Sequence, residues 1–204
     1  MPRIAIRGVQ IGAAIAALIL VCVGVLLWAQ TRTGSELPVI SGIGGPFTLV
    51  DHHATAVTER DYLRKPTLIF FGFTHCPDVC PTTLFELSNL LKELGPDADR
   101  LNVLFITVDP DRDTPAQMAL YLSSFDPRIT GLSGTAENIA AVIKAYRVYA
   151  RKVPLEDGGY TMDHTATIYM MNSKGQFVGT MSYHEPEATA RAKLRRLIDL
   201  GGSS

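Results

Sequence analysis

The sequence Thr67-Leu-Ile-Phe-Phe-Gly-Phe73 is a nearly continuous run of β-forming apolar residues, and Thr-His-Cys-Pro-Asp-Val-Cys-Pro81 follows it directly. Such a run is typical of a central strand that is buried on both faces. Leucines then recur at spacings of three and four from Leu84 to Leu94, which predicts an amphipathic helix that ends at Gly95-Pro96. The two cysteines therefore lie where a buried strand passes into a helix, which is where α/β folds usually carry their sites.

The segments around this unit predict the fold class α/β, as a thioredoxin-like sandwich with an N-terminal transmembrane helix. Thr114 and Thr135 are predicted to cap helices, because helix starts prefer a residue whose side chain accepts a hydrogen bond. The hairpin rests on a strong turn sequence between two β-forming runs. The predicted elements are a strand over 47–51, a buried strand over 101–108, helices capped by Thr114 and Thr135, a hairpin of strands 165–171 and 176–182 around Asn172-Ser-Lys-Gly175, and a last helix over 186–200.

The composition limits the class of protein. The chain has 204 residues, of which 47% are hydrophobic and 19% charged, so it is too apolar to be disordered and too short for more than one or two domains. A net charge of −1 argues against a broadly basic nucleic-acid binder. Three cysteines are too few for a disulfide-rich scaffold.

The N-terminal segment predicts a membrane anchor. Residues 9–29 are apolar apart from Gln10, and at about 1.5 Å per residue such a helix crosses a hydrocarbon core of about 30 Å. Arg3 and Arg7 precede the run and Trp28 closes it, which indicates a cytoplasmic N-terminus and an interfacial residue on the far side. We expect residues 1–30 to be the anchor, 31–45 a tether, and 46–204 a thioredoxin-like domain.

This organisation predicts a single-pass protein of the cytoplasmic (inner) membrane. Its domain would lie on the periplasmic side, or on the intermembrane-space side in an organelle. A cleaved secretory signal is the alternative, although the apolar run exceeds the usual h-region and no clear small-residue cleavage site ends it. Lipoprotein processing at Cys22 is a further alternative, but Val21 stands where a small residue is needed, which favours a membrane-buried thiol.

Cys76 and Cys80 are the first candidates for chemistry. They are four residues apart at the predicted helix start, so both thiols face the same way across one turn. Free N–H groups and the positive end of the helix dipole stabilise thiolates there. Such a pair serves redox exchange or soft-metal ligation. A static disulfide is the alternative, although a bridge between near neighbours closes a small loop and stabilises little.

His164 is the candidate third ligand. It directly precedes the predicted hairpin, and if the first hairpin strand is an antiparallel neighbour of 67–73, its start lies beside the cysteine loop. Two thiolates and one imidazole suit copper as Cu(I) or Cu(II). Residues 153–163 contain Pro154 and Gly158-Gly159 and are expected to form a mobile loop that carries His164 in and out.

Two acidic residues are candidates for the outer shell of this site. Asp163 could orient the His164 ring as a hydrogen-bond acceptor, which is common for metal-bound imidazoles. Asp78 lies between the cysteines and either faces the copper or a partner, or caps the helix.

A charge cluster, Asp109 to Asp113, follows the second buried strand on the side of the cysteines. We interpret it as a buried Arg–Asp brace involving Arg112. A solvent-exposed turn without a structural role is the alternative. A carboxylate-rich Mg²⁺ or Ca²⁺ site is disfavoured, because two prolines stiffen the turn.

The other histidines have weaker claims. His75 adjoins Cys76 and could tune its pKa or contact a partner, or be a solvated loop residue. His52 and His53 would point to opposite faces of a strand, which argues against a joint site. His184 is expected on the surface.

Three segments together resemble the Sco/SenC family, in order and in spacing: Cys76-Pro-Asp-Val-Cys-Pro81, Val108-Asp-Pro-Asp-Arg-Asp-Thr-Pro115 and Asp163-His-Thr165. The resemblance extends over residues 46–200. It implies a membrane-anchored copper-binding protein of thioredoxin fold that helps to assemble the dinuclear CuA centre of cytochrome c oxidase. The family's copper ligands fall on Cys76, Cys80 and His164.

The resemblance therefore implies a copper chaperone rather than an enzyme. Its partners would be the CuA-bearing subunit of the oxidase and other copper carriers. Nucleic acid is not expected as a partner. The alternative is a membrane-tethered thiol–disulfide oxidoreductase that reduces the cysteines of the copper acceptor through Cys76 and Cys80. A peroxiredoxin-type peroxidase is a third hypothesis, but Phe73 stands where that pattern requires a threonine three residues before the reactive cysteine.

Overall fold

The computed structural model describes residues 17–25, 38–156 and 158–201, and the chain divides into two units, residues 1–36 and 37–204. In the first unit, residues 17–25 form a helix, α1, with exposed side chains. Within the described ranges, no helix has both the length and the apolar character needed to cross a membrane. Arg3, Arg7 and Trp28, on which the anchor prediction rests, lie outside the described residues.

The second unit is built on a seven-stranded sheet with the order β2-β1-β5-β4-β3-β8-β9, beside a two-stranded sheet of β6 and β7. The strands are β1 Thr48–Asp51, β2 Ala56–Thr58, β3 Thr67–Gly72, β4 Asn102–Thr107, β5 Ile129–Ser133, β6 Ala150–Pro154, β7 Tyr160–His164, β8 Ile168–Met171 and β9 Phe177–Met181.

The described domain also has four α-helices and two short 3₁₀ helices. The α-helices are α2 Val79–Leu94, α3 Pro115–Leu122, α4 Ala136–Ala145 and α5 Glu187–Gly201, and the 3₁₀ helices are Glu59–Tyr62 and Gly95–Arg100. The predicted threonine caps are confirmed, since Thr114 accepts a hydrogen bond from the N–H of Gln117 and Thr135 accepts one from Asn138.

Strand β3 is the centre of the core. All six of its residues are buried, and it pairs in parallel with β4 on one side and antiparallel with β8 on the other. In the second pairing Phe70 lies opposite Ile168, so the carboxyl end of β3 adjoins the start of β8. This arrangement confirms the predicted strand neighbours and the thioredoxin-like α/β fold.

The expectation of an irregular loop over 153–163 is wrong, because most of this segment belongs to the hairpin of β6 and β7, while its mobility stays a prediction. Arg151 pairs with Asp163 and Val153 with Thr161. Its sequence does not alternate clearly between apolar and polar residues, because the strands lie outside the central sheet and most of their residues are exposed or half-buried.

The segment before residue 46 also contacts the domain. The N–H of Ile40 donates to the carbonyl of Phe177 at 3.0 Å, and the N–H of Gly44 donates to Ala145 at 3.0 Å. Ile43 packs against the hydrophobic core. The predicted tether, 31–45, therefore includes residues that are part of the folded unit, while its residues 31–37 lie outside the described ranges.

Candidate metal centre

The cysteine loop connects β3 to α2. Cys76 is half-buried in this loop, and Cys80 is fully buried in the first turn of α2. The N–H of Cys80 donates to the Sγ atom of Cys76 at 3.4 Å. Both side chains are free thiols. The helix start thus directs backbone donors at a sulfur atom, as the spacing of the cysteines predicted.

The pKa values of the two thiols are shifted in opposite directions. A hydrogen bond from the Cys80 thiol is the largest influence on Cys76 and outweighs its partial burial, and with the N–H groups of Cys80 and Asp78 it lowers the pKa of Cys76 from 9.0 to about 4. The same hydrogen bond, together with burial, raises the pKa of Cys80. Cys76 is therefore the thiolate of the pair when no metal is bound.

Gly72 makes room for the Cys80 sulfur. A Cβ atom at this position would lie 2.7 Å from Cys80 Sγ and 2.6 Å from Cε2 of Phe105. Since β3 is packed on both faces, the sulfur occupies space that any other residue at position 72 would fill.

His164 is the third member of a cluster with Cys76 and Cys80. It is the last residue of β7, and its Nε2 atom lies 3.5 Å from Cys80 Sγ. The ligand atoms of Cys76, Cys80 and His164 all lie within 4.8 Å of one another, and this is the only such group of three or more that the described residues contain. The imidazole ring packs edge-to-face with the rings of Phe73 and Phe70, whose centroids lie 5.7 and 6.3 Å away.

The ring of His164 is held through its other nitrogen. Nδ1 lies 3.1 Å from the carbonyl oxygen of Thr165. Because a carbonyl only accepts, this hydrogen bond requires the proton on Nδ1 and leaves the lone pair of Nε2 facing the thiols. The Thr165 carbonyl therefore occupies the role that we predicted for Asp163, whose carboxylate instead lies 3.7 Å from Arg151 at the surface.

Asp78 is the N-cap residue of α2, and its exposed carboxylate accepts a hydrogen bond from the hydroxyl of Thr82 at 3.4 Å. Its N–H supports the Cys76 thiolate. Its side chain makes no capping hydrogen bond to the helix N–H groups, and it lines the same cleft as Cys76 and His164, so a role for Asp78 toward copper or a partner stays a prediction.

The site opens into a cleft of about 190 Å³. The cleft is lined on one side by Phe73 and residues 76–79 of the cysteine loop, and on the other by residues 161–164 and Ala166. Cys76 and His164 line it, while Cys80 lies behind them. A ligand from a second protein would therefore approach on the side of Cys76 and His164.

The predicted Arg–Asp brace is confirmed. The Nε atom of Arg112 donates to the buried carboxylate of Asp109, whereas Asp111 forms an exposed ion pair with Lys152 at 3.0 Å. Asp113 is fully buried and accepts from the N–H and the hydroxyl of Thr74, at 3.0 and 2.7 Å, and from the hydroxyl of Thr107 at 2.6 Å. The turn that contains these residues thus fixes the start of the cysteine loop.

The remaining histidines lie outside the ligand set. His75 is about half exposed and lies 3.0 Å from the hydroxyl of Thr74. His184 is exposed, as predicted, and lies 2.8 Å from Glu86. His52 and His53 follow the end of β1 in a turn, so their rings face each other with centroids 4.0 Å apart, and our expectation of opposite faces is wrong for this pair.

The comparisons with known proteins agree with this geometry. Residues 38–199 match the family described as SCO1/SenC. The chain belongs to the SCO1/SenC family. The mitochondrial SCO1 homologue of Mus musculus is 42% identical over 149 residues, which are 72% of this chain and 52% of that protein. This Sco protein thus spans about half the length of the curated relatives that it matches.

Two solved Sco structures resemble this domain. The copper-bound structure of ScoI from Bradyrhizobium japonicum is 58% identical, covers 76% of this chain and 99% of its own, and superposes with a TM-score of 0.72. BsSco, described with a disulfide switch and as a member of the Sco family of cytochrome c oxidase assembly proteins, is 17% identical over 78% of this chain and 97% of its own. At a TM-score of 0.59 its likeness shows the fold alone.

The donor chemistry of this Sco family member favours a soft ion. Thiolates select Cu(I) and Zn²⁺, and imidazole is compatible with both copper oxidation states. Three protein ligands with a cleft beside them leave a coordination position open to an exchanging group. The residues present therefore fit copper.

Proposed function

We propose that this protein is a copper chaperone that holds copper on Cys76, Cys80 and His164 and delivers it to the CuA-bearing subunit of cytochrome c oxidase during assembly. The observation that carries the proposal is the meeting of two thiols and one imidazole at the mouth of a cleft, with ligand atoms within 4.8 Å of one another. Copper is the cargo, and other copper carriers would load it.

The unequal exposure of the ligands supports transfer by ligand exchange. Cys80 is fully buried, whereas Cys76 and His164 are half-buried and line the cleft. An acceptor thiolate or imidazole would replace the accessible ligands first, while Cys80 retains the ion until the acceptor holds it. A partner entering this cleft needs no unfolding of the domain.

The N-terminal segment belongs to the same proposal. Residues 1–30 would anchor the protein in the cytoplasmic or inner membrane, and the domain would face the compartment in which the CuA subunit presents its soluble part. Extraction of the full chain from membranes with detergent but not with carbonate would support this anchor, whereas release by carbonate would contradict it.

A thiol–disulfide oxidoreductase is the second candidate, because an accessible thiolate beside a buried thiol is the arrangement of an attacking and a resolving cysteine. The Cys76 thiolate would attack a partner disulfide, form a mixed disulfide and release one partner thiolate. Cys80 would then lose its proton, attack Cys76 and release the second partner thiolate. The partner gains two electrons, and Cys76 and Cys80 become a disulfide.

Replacement of His164 by Ala separates the two functions. Two thiolates can still hold Cu(I), but Cu(II) prefers more nitrogen or oxygen donors. The variant should therefore lose its Cu(II)–thiolate absorption and most oxidase maturation in copper-limited cells, while the dithiol still reduces a model disulfide. Normal maturation by His164→Ala would overturn the delivery proposal in favour of the reductase. His184→Ala, which changes an exposed histidine far from the ligand set in sequence, is the matched control.

A further inference from the structure

The three ligand side chains come from two separate parts of the chain, and one turn contacts both. This turn, Asp109 to Asp113, follows β4. On one side Asp113 accepts two hydrogen bonds from Thr74 in the cysteine loop. On the other side Asp109 and Arg112 contact Tyr160, the first residue of the strand that ends at His164.

The contacts to Tyr160 involve both its backbone and its ring. Arg112 donates from Nη1 to the Tyr160 carbonyl at 3.0 Å, and the Cζ atom of its guanidinium lies 3.8 Å from the centre of the ring. The Tyr160 hydroxyl donates to Asp109 at 2.9 Å. Asp109 also accepts from Nε of Arg112, so the three side chains form a closed network.

This network matters because the strand that carries His164 has no place in the central sheet. β6 and β7 pair only with each other in a separate two-stranded sheet, with Ala150 opposite His164 and Pro154 opposite Tyr160. A two-stranded hairpin is at best marginally stable without further packing. The pairing of β8 with β3 brings the chain that follows His164 to the cysteine loop, and contacts from outside the hairpin fix the rest of β7 relative to it.

We propose that Arg112 and Tyr160 are positioning residues that hold the His164 imidazole at the cysteine pair, through the contacts of Arg112 with the Tyr160 backbone and ring. This inference rests on the proposed function only in taking copper as the ion. Arg112 is suited to the role, because its planar group donates from two nitrogens while it stacks on an aromatic ring. Lysine retains the charge but cannot make this set of contacts.

Arg112→Lys is the test, with Arg151→Lys as its matched control. Arg151 lies on the same hairpin and forms an exposed ion pair with Asp163 at 3.7 Å. In Arg112→Lys we expect Cu(II) affinity, measured by chelator competition, to fall by about tenfold to a hundredfold, as is usual when the support of a metal ligand is removed. Cu(I) affinity should fall less, because both thiolates remain. Arg151→Lys should leave both affinities within about twofold of the original protein.

A second measurement uses the copper-free protein. The amides of residues 160–164 should exchange hydrogen for deuterium about tenfold faster in Arg112→Lys than in Arg151→Lys, while the buried amides of β3 exchange at an unchanged rate. This measurement separates the positioning role of Arg112 from the proposed function in copper delivery. If the original protein bound no copper, the delivery proposal would fail, and the exchange rates would still decide whether Arg112 positions the hairpin.

A double-mutant cycle separates positioning from general stability. If Arg112 acts through His164, Arg112→Lys should cause no further loss of Cu(II) affinity once His164 is Ala. Full additivity of the two changes, or a Cu(II) affinity and exchange rate equal to those of the control, would overturn the inference. Should Arg112→Lys not fold, Tyr160→Leu decides: it removes both the stacked ring and the hydroxyl bond to Asp109, and it should lower Cu(II) affinity in the same direction. An unchanged affinity in that variant would count against the network.

Discussion

The Nε2 atom of His164 lies 3.5 Å from the Sγ atom of Cys80, although 84 residues separate the two in the chain. The antiparallel pairing of β8 with β3 brings them together, because it sets the segment that follows His164 beside the loop that follows β3. The ligand set therefore exists only in the folded domain, and the chemistry of each ligand depends on residues that hold these segments in place.

The first prediction concerns the acidity of Cys76. Hydrogen bonds to its sulfur lower its pKa to about 4, so the copper-free protein should hold Cys76 as a thiolate throughout the neutral range. The rate of alkylation by iodoacetamide should rise as pH passes through about 4 and be level above pH 6. Peptide mass spectrometry should find the label on Cys76 and not on the buried Cys80. An inflection near the ordinary thiol value of about 8.5 would contradict the hydrogen-bonded arrangement.

The second prediction concerns the space that Gly72 leaves for sulfur. In Gly72→Ala the new Cβ atom would meet Cys80 Sγ at 2.7 Å and Phe105 Cε2 at 2.6 Å, closer than non-bonded atoms approach. We expect the free energy of unfolding to fall by about 1–3 kcal/mol, as is typical of an overpacked core. Urea denaturation of the copper-free protein measures the loss.

Gly45→Ala is the control for this change, because the nearest atom to its new Cβ would be the Cβ of Ala145 at 3.4 Å, an ordinary contact. Its urea midpoint should stay close to that of the original protein. Equal midpoints for the two variants would show that β3 and Phe105 can move aside and that Gly72 is not required for the position of Cys80.

The third prediction concerns Asp113, which joins the turn after β4 to the cysteine loop. Its buried carboxylate accepts three hydrogen bonds from Thr74 and Thr107. In Asp113→Asn an amide NH₂ replaces one acceptor oxygen, so at least one of these donors would lose its partner. We expect a loss of about 1–3 kcal/mol in the free energy of unfolding, the usual cost of an unsatisfied buried polar group.

The same substitution at an exposed acid provides the comparison. Asp97 forms a surface ion pair with Arg100 at 3.5 Å, and Asp97→Asn should change stability by no more than about 0.5 kcal/mol. If thermal or urea unfolding of Asp113→Asn matched that of Asp97→Asn, the buried carboxylate would not be what holds the cysteine loop.

Sequence patterns were sufficient for the strand β3, the helix α2 and the meeting of Cys76, Cys80 and His164 in one cluster. The continuous apolar run of β3 predicts its burial. The predicted helix start brings Cys76 and Cys80, four residues apart, to the same side. The position of His164 followed from one topological assumption, that the hairpin strand β8 pairs antiparallel with β3, and the register confirms it. These features were predictable because local pattern and long-range packing agree.

Other elements depend on contacts that no local pattern contains. β5, Ile-Thr-Gly-Leu-Ser133, has a glycine at its centre and was not predicted as a strand. Gly131 stands there because a Cβ atom would lie 2.6 Å from Leu122 and 3.0 Å from Met118 of α3, so close helix packing determines the residue. β6 and β7 were missed for a similar reason, since they lie outside the central sheet and Arg112 contacts them from the turn after β4. Asp163 is near His164 in sequence, but the ring is held by the Thr165 carbonyl, which any residue could supply.

The last prediction concerns where the domain begins. A protein that lacks residues 1–34 keeps the bonds of Ile40 to Phe177 and of Gly44 to Ala145, and it keeps the three proposed ligands Cys76, Cys80 and His164. It should therefore be soluble, folded and able to bind copper. Removal of residues 1–46 eliminates both bonds and the packing of Ile43 on the core, so unfolding should become easier by roughly 2–4 kcal/mol. Copper stoichiometry should be the same in both, because the ligands are far from the deleted segment in sequence.

Urea denaturation and copper analysis of the two truncated proteins test these expectations separately. Equal urea midpoints would mean that residues 35–46 contribute nothing to the fold despite their hydrogen bonds. A protein without residues 1–34 that stayed folded but lost copper would point to a ligand in the deleted segment, and Cys22 would be the residue to replace next. A chain that binds one copper ion per domain without its first 34 residues would show that this segment supplies no required ligand, as a centre formed by Cys76, Cys80 and His164 demands.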